Sequence, residues 1–260
     1  MAKRPEGPCH ICGQHAKLSF EHVPPESAFN NRQILRAHIF RKLHGNQETL
    51  NDLRQPAGKT QQRGAGDYTL CVKCNSDTGS WYGPAFAEWA KQGMEIAMGT
   101  NGPTLIYPFN IHPLRVIKQV VCMFISVNPP SFSQTNPDLI RLVLNKEARH
   151  LPGSFRIYAF YTMSDRCRSS GMTGLLKGID TNNPQTIVLS EITFPPFGFA
   201  MTKTSVPPDD RLCDITEFAG FDYRDWCYGI WLRMPIMPIY TFYPGDYRNR
   251  DQVHAQAGIH

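Results

Sequence analysis

No apolar run in this 260-residue chain approaches the ~20 residues that a membrane-spanning helix needs. The longest, Val120 to Val127, is broken by Ser126 and is followed by Pro129, which excludes a helical membrane protein. The N-terminus, Met-Ala-Lys-Arg-Pro-Glu-Gly-Pro, is charged but has no apolar segment behind it, so a secretory leader is not expected and a cytoplasmic location is. Internal repeats and low-complexity tracts are also missing. Hydrophobic residues make up 41% of the chain, enough to exclude a largely disordered protein.

Acidic residues are scarce in one place. Between residues 31 and 66, Glu48 and Asp52 stand against Arg32, Arg36, Arg41, Lys42, Arg54, Lys59 and Arg63, a local excess equal to the formal net charge of +5. Such a stretch suits a polyanion, because neutralising phosphates releases condensed counterions. These seven side chains are the candidate nucleic-acid contacts, and DNA is the expected partner; a solvated loop is the plainer alternative.

Eight cysteines divide into two sets. Cys122, Cys167, Cys213 and Cys227 have no ligand-like spacing and are expected to be small buried hydrophobes. Cys9-His-Ile-Cys12 and Cys71-Val-Lys-Cys74 are spaced so that each tight turn presents two thiolates to one ion. Two such knuckles complete a closed tetrahedral site, the structural kind of zinc coordination. The stretch from Gly13 to Leu70 is too long for a compact finger, so the ion would join remote parts of the chain. A pair of redox motifs is the rival reading, but neither lies in a thioredoxin-like strand-helix context. His10 and His15 are taken as bystanders.

Texture changes along the chain. The first 83 residues are rich in Cys, His, Gly and Pro. From Pro84, Phe86, Trp89, Ala90, Gly93, Ile96 and Ala97 recur at helical spacing, with Pro84 placed to start the helix. Further helices are expected from His112 to Ser126 and from about Asp138 to Arg149. Beyond Gly153 the pattern alternates as in strands, over residues 155–163, 186–194, 197–202 and 226–234. The aromatic runs Phe194 to Phe199 and Trp226 to Trp231 are expected to be core rather than a base-stacking platform. Arg166, Arg168, Arg211, Arg248 and Arg250 are weaker candidates for phosphate contacts.

Between the knuckles lies Phe20-Glu21-His22-Val23-Pro24, and Asn75 follows the second knuckle directly. Phosphodiester hydrolysis needs a base for the attacking water and a positive centre for charge on the phosphate and leaving oxygens. Imidazole in its neutral form suits the first task, and hard oxygen ligands for Mg²⁺ suit the second. The motif order, Cys-x-x-Cys, acidic-His-apolar-Pro, Cys-x-x-Cys-Asn, resembles the HNH endonucleases of the ββα-metal class over roughly residues 9 to 90.

The resemblance implies His22 as general base, Glu21 and Asn75 as ligands of a catalytic Mg²⁺ or Mn²⁺, and a separate structural Zn²⁺ on Cys9, Cys12, Cys71 and Cys74. Two positions depart from the pattern. Glu21 replaces the usual Asp, and the middle Asn is absent, leaving Asp67 as the nearest supporting residue and Asn51 further off. Adjacent residues on a regular strand face opposite ways, so Glu21 and His22 reach one site only if the chain bends at Val23-Pro24-Pro25. Asn75 is expected in the first turn of a helix opened by the second knuckle.

The expected fold is α+β: a zinc-stabilised ββα-metal, treble-clef-like module over residues 1–100 with a basic insertion, then an α+β region over residues 101–260 with antiparallel strands for recognition, sensing or oligomerisation. The expected function is a metal-dependent DNA endonuclease serving in anti-phage defence or restriction. A nuclease in a host cell must be restrained, so a homo-oligomer, a regulatory partner or an activating ligand is expected. The alternative is a non-catalytic zinc module that binds nucleic acid or protein, with His22 a packed histidine.

Overall fold

The computed structural model describes residues 4–36, 58–100, 102–177, 185–204 and 206–256. Among them the architecture is mixed α+β, with five helices and antiparallel sheets. No helix among the described residues is long and apolar enough to cross a membrane.

Strands β1 (Glu6–Pro8), β2 (His15–His22) and β5 (Gly66–Cys71) form the N-terminal sheet, in the order β1-β2-β5. Two short strands, β3 (Ile34–Arg36) and β4 (Lys59–Gln61), pair separately. Helix α1 (Val72–Gly99) starts where β5 ends. After β6 (Thr104–Ile111) come α2 (Pro113–Val127), α3 (Pro130–Thr135) and α4 (Pro137–Leu144). The second large sheet contains β7 (Phe155–Tyr161), β8 (Arg168–Lys177), β9 (Gln185–Phe194), β10 (Phe197–Lys203) and β11 (Cys213–Asp214), in the order β11-β7-β10-β9-β8. A 3-10 turn at Thr216–Gly220, strand β12 (Cys227–Pro235), which pairs with β6, and helix α5 (Arg250–Gln256) complete the chain.

Helix α2 is the hub. Every residue from Pro113 to Ser126 except Arg115 is buried, as expected of a helix that is apolar almost all round. It packs against α1, α4, β5, β8 and the 3-10 turn. One hydrophobic cluster accordingly runs from Cys9 through α1 and α2 to Met234. Its buried Lys118 is satisfied by donating to the carbonyls of Asn145 and Lys146, each at 2.7 Å. Trp89 stacks on Phe197 with ring centroids 4.3 Å apart. Gly93 makes that approach feasible, since a Cβ there would lie 2.2 Å from the Phe197 ring.

Several elements differ from the sequence reading. Pro84 does not start a helix; it lies inside α1, which begins twelve residues earlier. Proline removes one backbone donor and crowds the preceding turn. The adjoining Trp81 carbonyl accepts bonds from Arg115 Nε at 3.1 Å and the Tyr223 hydroxyl at 3.2 Å, and burial of the flanking turns holds the helix through the break. The helix expected to reach Arg149 ends at Leu144, and β6, β8 and α3 carried no clear periodic signal.

Phe197 and Phe199 are core, as expected, but Tyr228 and Trp231 are 80% and 67% exposed. The two-stranded β6–β12 ribbon buries one face, through Leu232 and Met234, and turns Trp231 outward. Of the scattered cysteines only Cys122 is fully buried, and Cys167 is exposed.

Candidate functional site

The first cysteine pair sits on a tight turn in which Gly13 N–H donates to the Cys9 carbonyl at 2.8 Å and Cys9 N–H donates to the Gln14 carbonyl at 2.9 Å. The second pair spans the start of α1. Cys71 is its N-cap, and the Cys71 sulfur accepts from the Cys74 N–H at 3.5 Å. Pairing of β2 with β5 brings the turns together, Leu18 opposite Cys71.

All four sulfurs lie within 4.8 Å of one another. A tetrahedral zinc with Zn–S near 2.3 Å would hold its sulfurs about 3.8 Å apart. The Cys12 and Cys71 sulfurs are 3.9 Å apart, so the donor set fits such an ion. The Cys9 thiol is held down to about 4 by a hydrogen bond from the Cys74 thiol, which is correspondingly pushed well above its ordinary range. Four crowded thiols without a cation concentrate one thiolate in this way; a divalent ion lets all four ionise. The helix N-terminus adds its own positive end.

Beside this cluster, β2 and the first turns of α1 enclose a cleft of about 560 Å³. Glu21, His22 and Asn75 all border it. Glu21 lies on the buried side of β2 and is 8% exposed. His22, on the other side, is reached because the strand ends there and the chain turns away at Val23. A bulge in the β2–β5 pairing at Ser19/Phe20 shifts the register just before the two residues.

The His22 ring is fixed by two contacts. Its Nε2 lies 2.8 Å from the Arg63 carbonyl, and Phe20 meets the ring edge-on at 4.9 Å. A carbonyl only accepts, so Nε2 carries the proton and Nδ1 of the neutral ring keeps its lone pair. Asn75 Nδ2 donates to Ser19 Oγ at 3.0 Å and to the Phe20 carbonyl at 3.1 Å. Those acceptors settle the amide orientation and leave Oδ1 as the group free to act in the cleft.

The Glu21 carboxyl has no hydrogen-bond or ion-pair partner among the described residues, and burial pushes its pKa from 4.5 up to about 8. The linkage has a definite sign. Below about pH 4.5 folded and unfolded chains both hold the proton. As pH rises towards 8 the unfolded chain releases a proton that the folded one retains, so stability falls over that window. Without added Mg²⁺ or Mn²⁺, Glu21→Gln is expected to flatten this slope and to be more stable than the parent at pH 8. Denaturant titrations at pH 5 and pH 8 measure it; equal pH slopes in the two proteins would refute the assignment.

The brace for the His22 loop is Asn30, which motif order did not reveal. Its Nδ2 donates to the Pro24 and Ala65 carbonyls at 2.6 and 2.7 Å, and its Oδ1 accepts from Ala65 N–H at 2.6 Å. The turn carrying Arg63 is thereby tied to the turn following His22. Gly64 has φ +81°, and a Cβ there would meet the Asn30 carbonyl at 2.3 Å. Asn30 is fully buried, and nothing in the local sequence marked it, because its partners include a carbonyl 35 residues away. Asp67 does not do this work: it is exposed, caps the Tyr68 N–H and pairs with Arg36 at 3.0 Å.

Of the basic candidates, Arg32, Lys59 and Arg63 are exposed, while Arg36 is engaged with Asp67 and the Gly66 carbonyl. Arg41, Lys42, Asn51 and Arg54 lie outside the described residues. The C-terminal arginines are mostly engaged in holding structure. Arg168 is buried against Glu191 at 2.6 Å, Arg211 pairs with Asp209, Arg248 pairs with Asp246, and Arg166 donates to the Tyr240 carbonyl. Arg250 is exposed at the start of α5. No family model, curated protein or solved structure matches the chain.

Proposed function

We propose that the cleft between β2 and α1 is the active site of a divalent-metal-dependent DNA endonuclease of the HNH kind. The observation that carries this reading is the convergence of Glu21, His22 and Asn75 on one cleft beside four sulfurs positioned for zinc. The order of β2, β5 and α1, with one cysteine turn before β2 and the other at the β5–α1 junction, supports a ββα-metal module built around that ion.

His22 Nδ1 takes a proton from the attacking water, while the Nε2–H bond to Arg63 keeps the ring in the required tautomer. Glu21 and the Asn75 Oδ1 are the protein oxygens that hold Mg²⁺ or Mn²⁺. When bound, the cation supplies Lewis-acid stabilisation of charge on the phosphate and the leaving oxygen. The exposed Arg63, on the turn that braces His22, and the exposed Arg32 and Lys59 draw the DNA backbone towards the cleft.

Purified protein is expected to cut duplex DNA with Mg²⁺ or Mn²⁺, to stop on chelation and to resume when the metal is restored. Absence of cleavage across single- and double-stranded, modified and unmodified DNA would overturn the reading. Retained gel-shift binding in that case would favour a non-catalytic zinc module.

A further inference from the structure

Helix α2 sends one polar side chain into the same cleft. Gln119 is 2% exposed and borders the cavity together with Glu21 and Asn75. Its Oε1 is buried and accepts no hydrogen bond among the described residues. Leaving a buried acceptor unsatisfied carries a free-energy cost of about 1–3 kcal/mol, so such groups in native proteins call for an explanation.

The floor between them is kept low. Asn75, Gly79, Gly83 and Ala87 follow one another at four-residue spacing along α1 and all line the cleft. A Cβ at Gly79 would stand 3.9 Å from Asn75 Oδ1, and one at Gly83 would stand 3.9 Å from Gln119 Oε1. The two amide oxygens thus lie against successive glycines of the same face of α1. Side chains from three elements border the cleft, Glu21 from β2, Asn75 from α1 and Gln119 from α2. Lys91, the one Lys or Arg on the lining among the described residues, sits at the exposed rim.

We propose that Gln119 supplies a third protein oxygen to the cation site of this cleft, so that the site is completed by a helix outside the segment carrying the sequence motif. The inference rests on the nuclease reading of the cleft. An oxygen-only set of one carboxylate and two amides, with water filling the rest, is the donor chemistry of Mg²⁺ and Mn²⁺ rather than of a thiolate-seeking ion. It also accounts for a buried amide whose oxygen accepts no hydrogen bond among the described residues.

The test is Mn²⁺ binding followed by electron paramagnetic resonance on the full chain, with melting temperature measured before and after Mn²⁺ is added. Gln119→Met keeps the length and removes the acceptor. It is expected to weaken Mn²⁺ binding by about tenfold, in the range seen when groups supporting a metal site are lost. The metal-free variant is expected to melt at or above the parental temperature, because an unsatisfied buried acceptor has gone, and to gain less from Mn²⁺. Gln119→Glu, which restores a hard oxygen, is expected to bind Mn²⁺ at least as tightly as the parent.

Parental affinity in Gln119→Met alongside lost affinity in Glu21→Gln would overturn the role of Gln119 alone. Weakened Mn²⁺ binding in Gln119→Glu would do the same should the methionine variant fail to fold. Absence of Mn²⁺ binding in the parent would instead overturn the reading of the cleft itself.

Discussion

Replacing His22 with alanine is expected to slow DNA cleavage by about 10²–10⁴-fold, the usual contribution of a positioned general base. The zinc content, Mn²⁺ affinity and fold should persist. His22 is half-exposed at the end of β2, and the folded state loses only its bond to the Arg63 carbonyl and the edge contact with Phe20. Removing one such hydrogen bond costs about 0.5–1.5 kcal/mol, too little to unfold a domain of this size. Single-turnover cleavage with saturating enzyme separates the chemical step from DNA binding. A His22→Ala protein that cuts at the parental rate would remove the base assignment and with it the proposed mechanism.

The second large effect belongs to the cysteines. Cys71→Ala is expected to abolish zinc retention and to unfold the β1-β2-β5 sheet and the start of α1. Structural zinc in small modules contributes on the order of 10–16 kcal/mol of apparent binding free energy, and the unfolded chain offers no preformed site. Cys71 also caps α1 through its sulfur, so the same substitution exposes the first turn of the helix. Metal analysis together with limited proteolysis reads both consequences. Cys122→Ala provides the control, since Cys122 is buried in α2 and away from the quartet; it should keep its zinc. A Cys71→Ala protein that retained both a full complement of zinc and parental protease resistance would show that the quartet is not the structural anchor.

These two variants separate the roles of neighbouring groups. Cys74 and Asn75 are adjacent in the chain, yet one faces the sulfur cluster while the other holds Ser19 and Phe20 and borders the cleft. Loss of cleavage without loss of zinc, as for His22→Ala, and loss of both, as for Cys71→Ala, are the contrasting signatures.

Much of the site was legible because its signals are local. A Cys-x-x-Cys turn positions two sulfurs whatever surrounds it, so the cysteine quartet that could hold a metal ion was readable from spacing. The start of a helix at the second knuckle, with Asn75 in its first turns, followed from the same residues. Helix α2 and strands β7, β9, β10 and β12 were visible in their periodicity, because one face or both must be apolar to be buried. Pro84 misled, since its effect depends on whether the rest of α1 is held elsewhere. The surrounding packing of Trp89 and Phe86 decided that.

Partners far apart in the sequence were not legible. His22 is fixed by the carbonyl of Arg63, 41 residues away, and that turn is held by Asn30, 35 residues from Ala65. A carbonyl acceptor leaves no trace in residue identity, so Asp67 looked like the natural support and is not. The arginines of the C-terminal region were weak candidates for phosphate contacts, and Glu191, Asp209 and Asp246 lie against Arg168, Arg211 and Arg248. The alternation over residues 226–234 predicted a strand but not that Trp231 on its outer face would be exposed among the described residues.

The cysteine spacing, the Glu21-His22 pair, Asn75 and the basic stretch were therefore determined by the sequence itself, because turn geometry and charge act over a few residues. Tertiary structure decided the chemistry of those groups: which nitrogen of His22 carries the proton, how far Glu21 is withdrawn from water, and that Gln119 borders the same cleft with an oxygen that accepts no hydrogen bond among the described residues. Proton affinity and ligand sets depend on the solvent and neighbours that surround a group, and here those neighbours arrive from α1, α2 and the 63–66 turn only when the chain has folded.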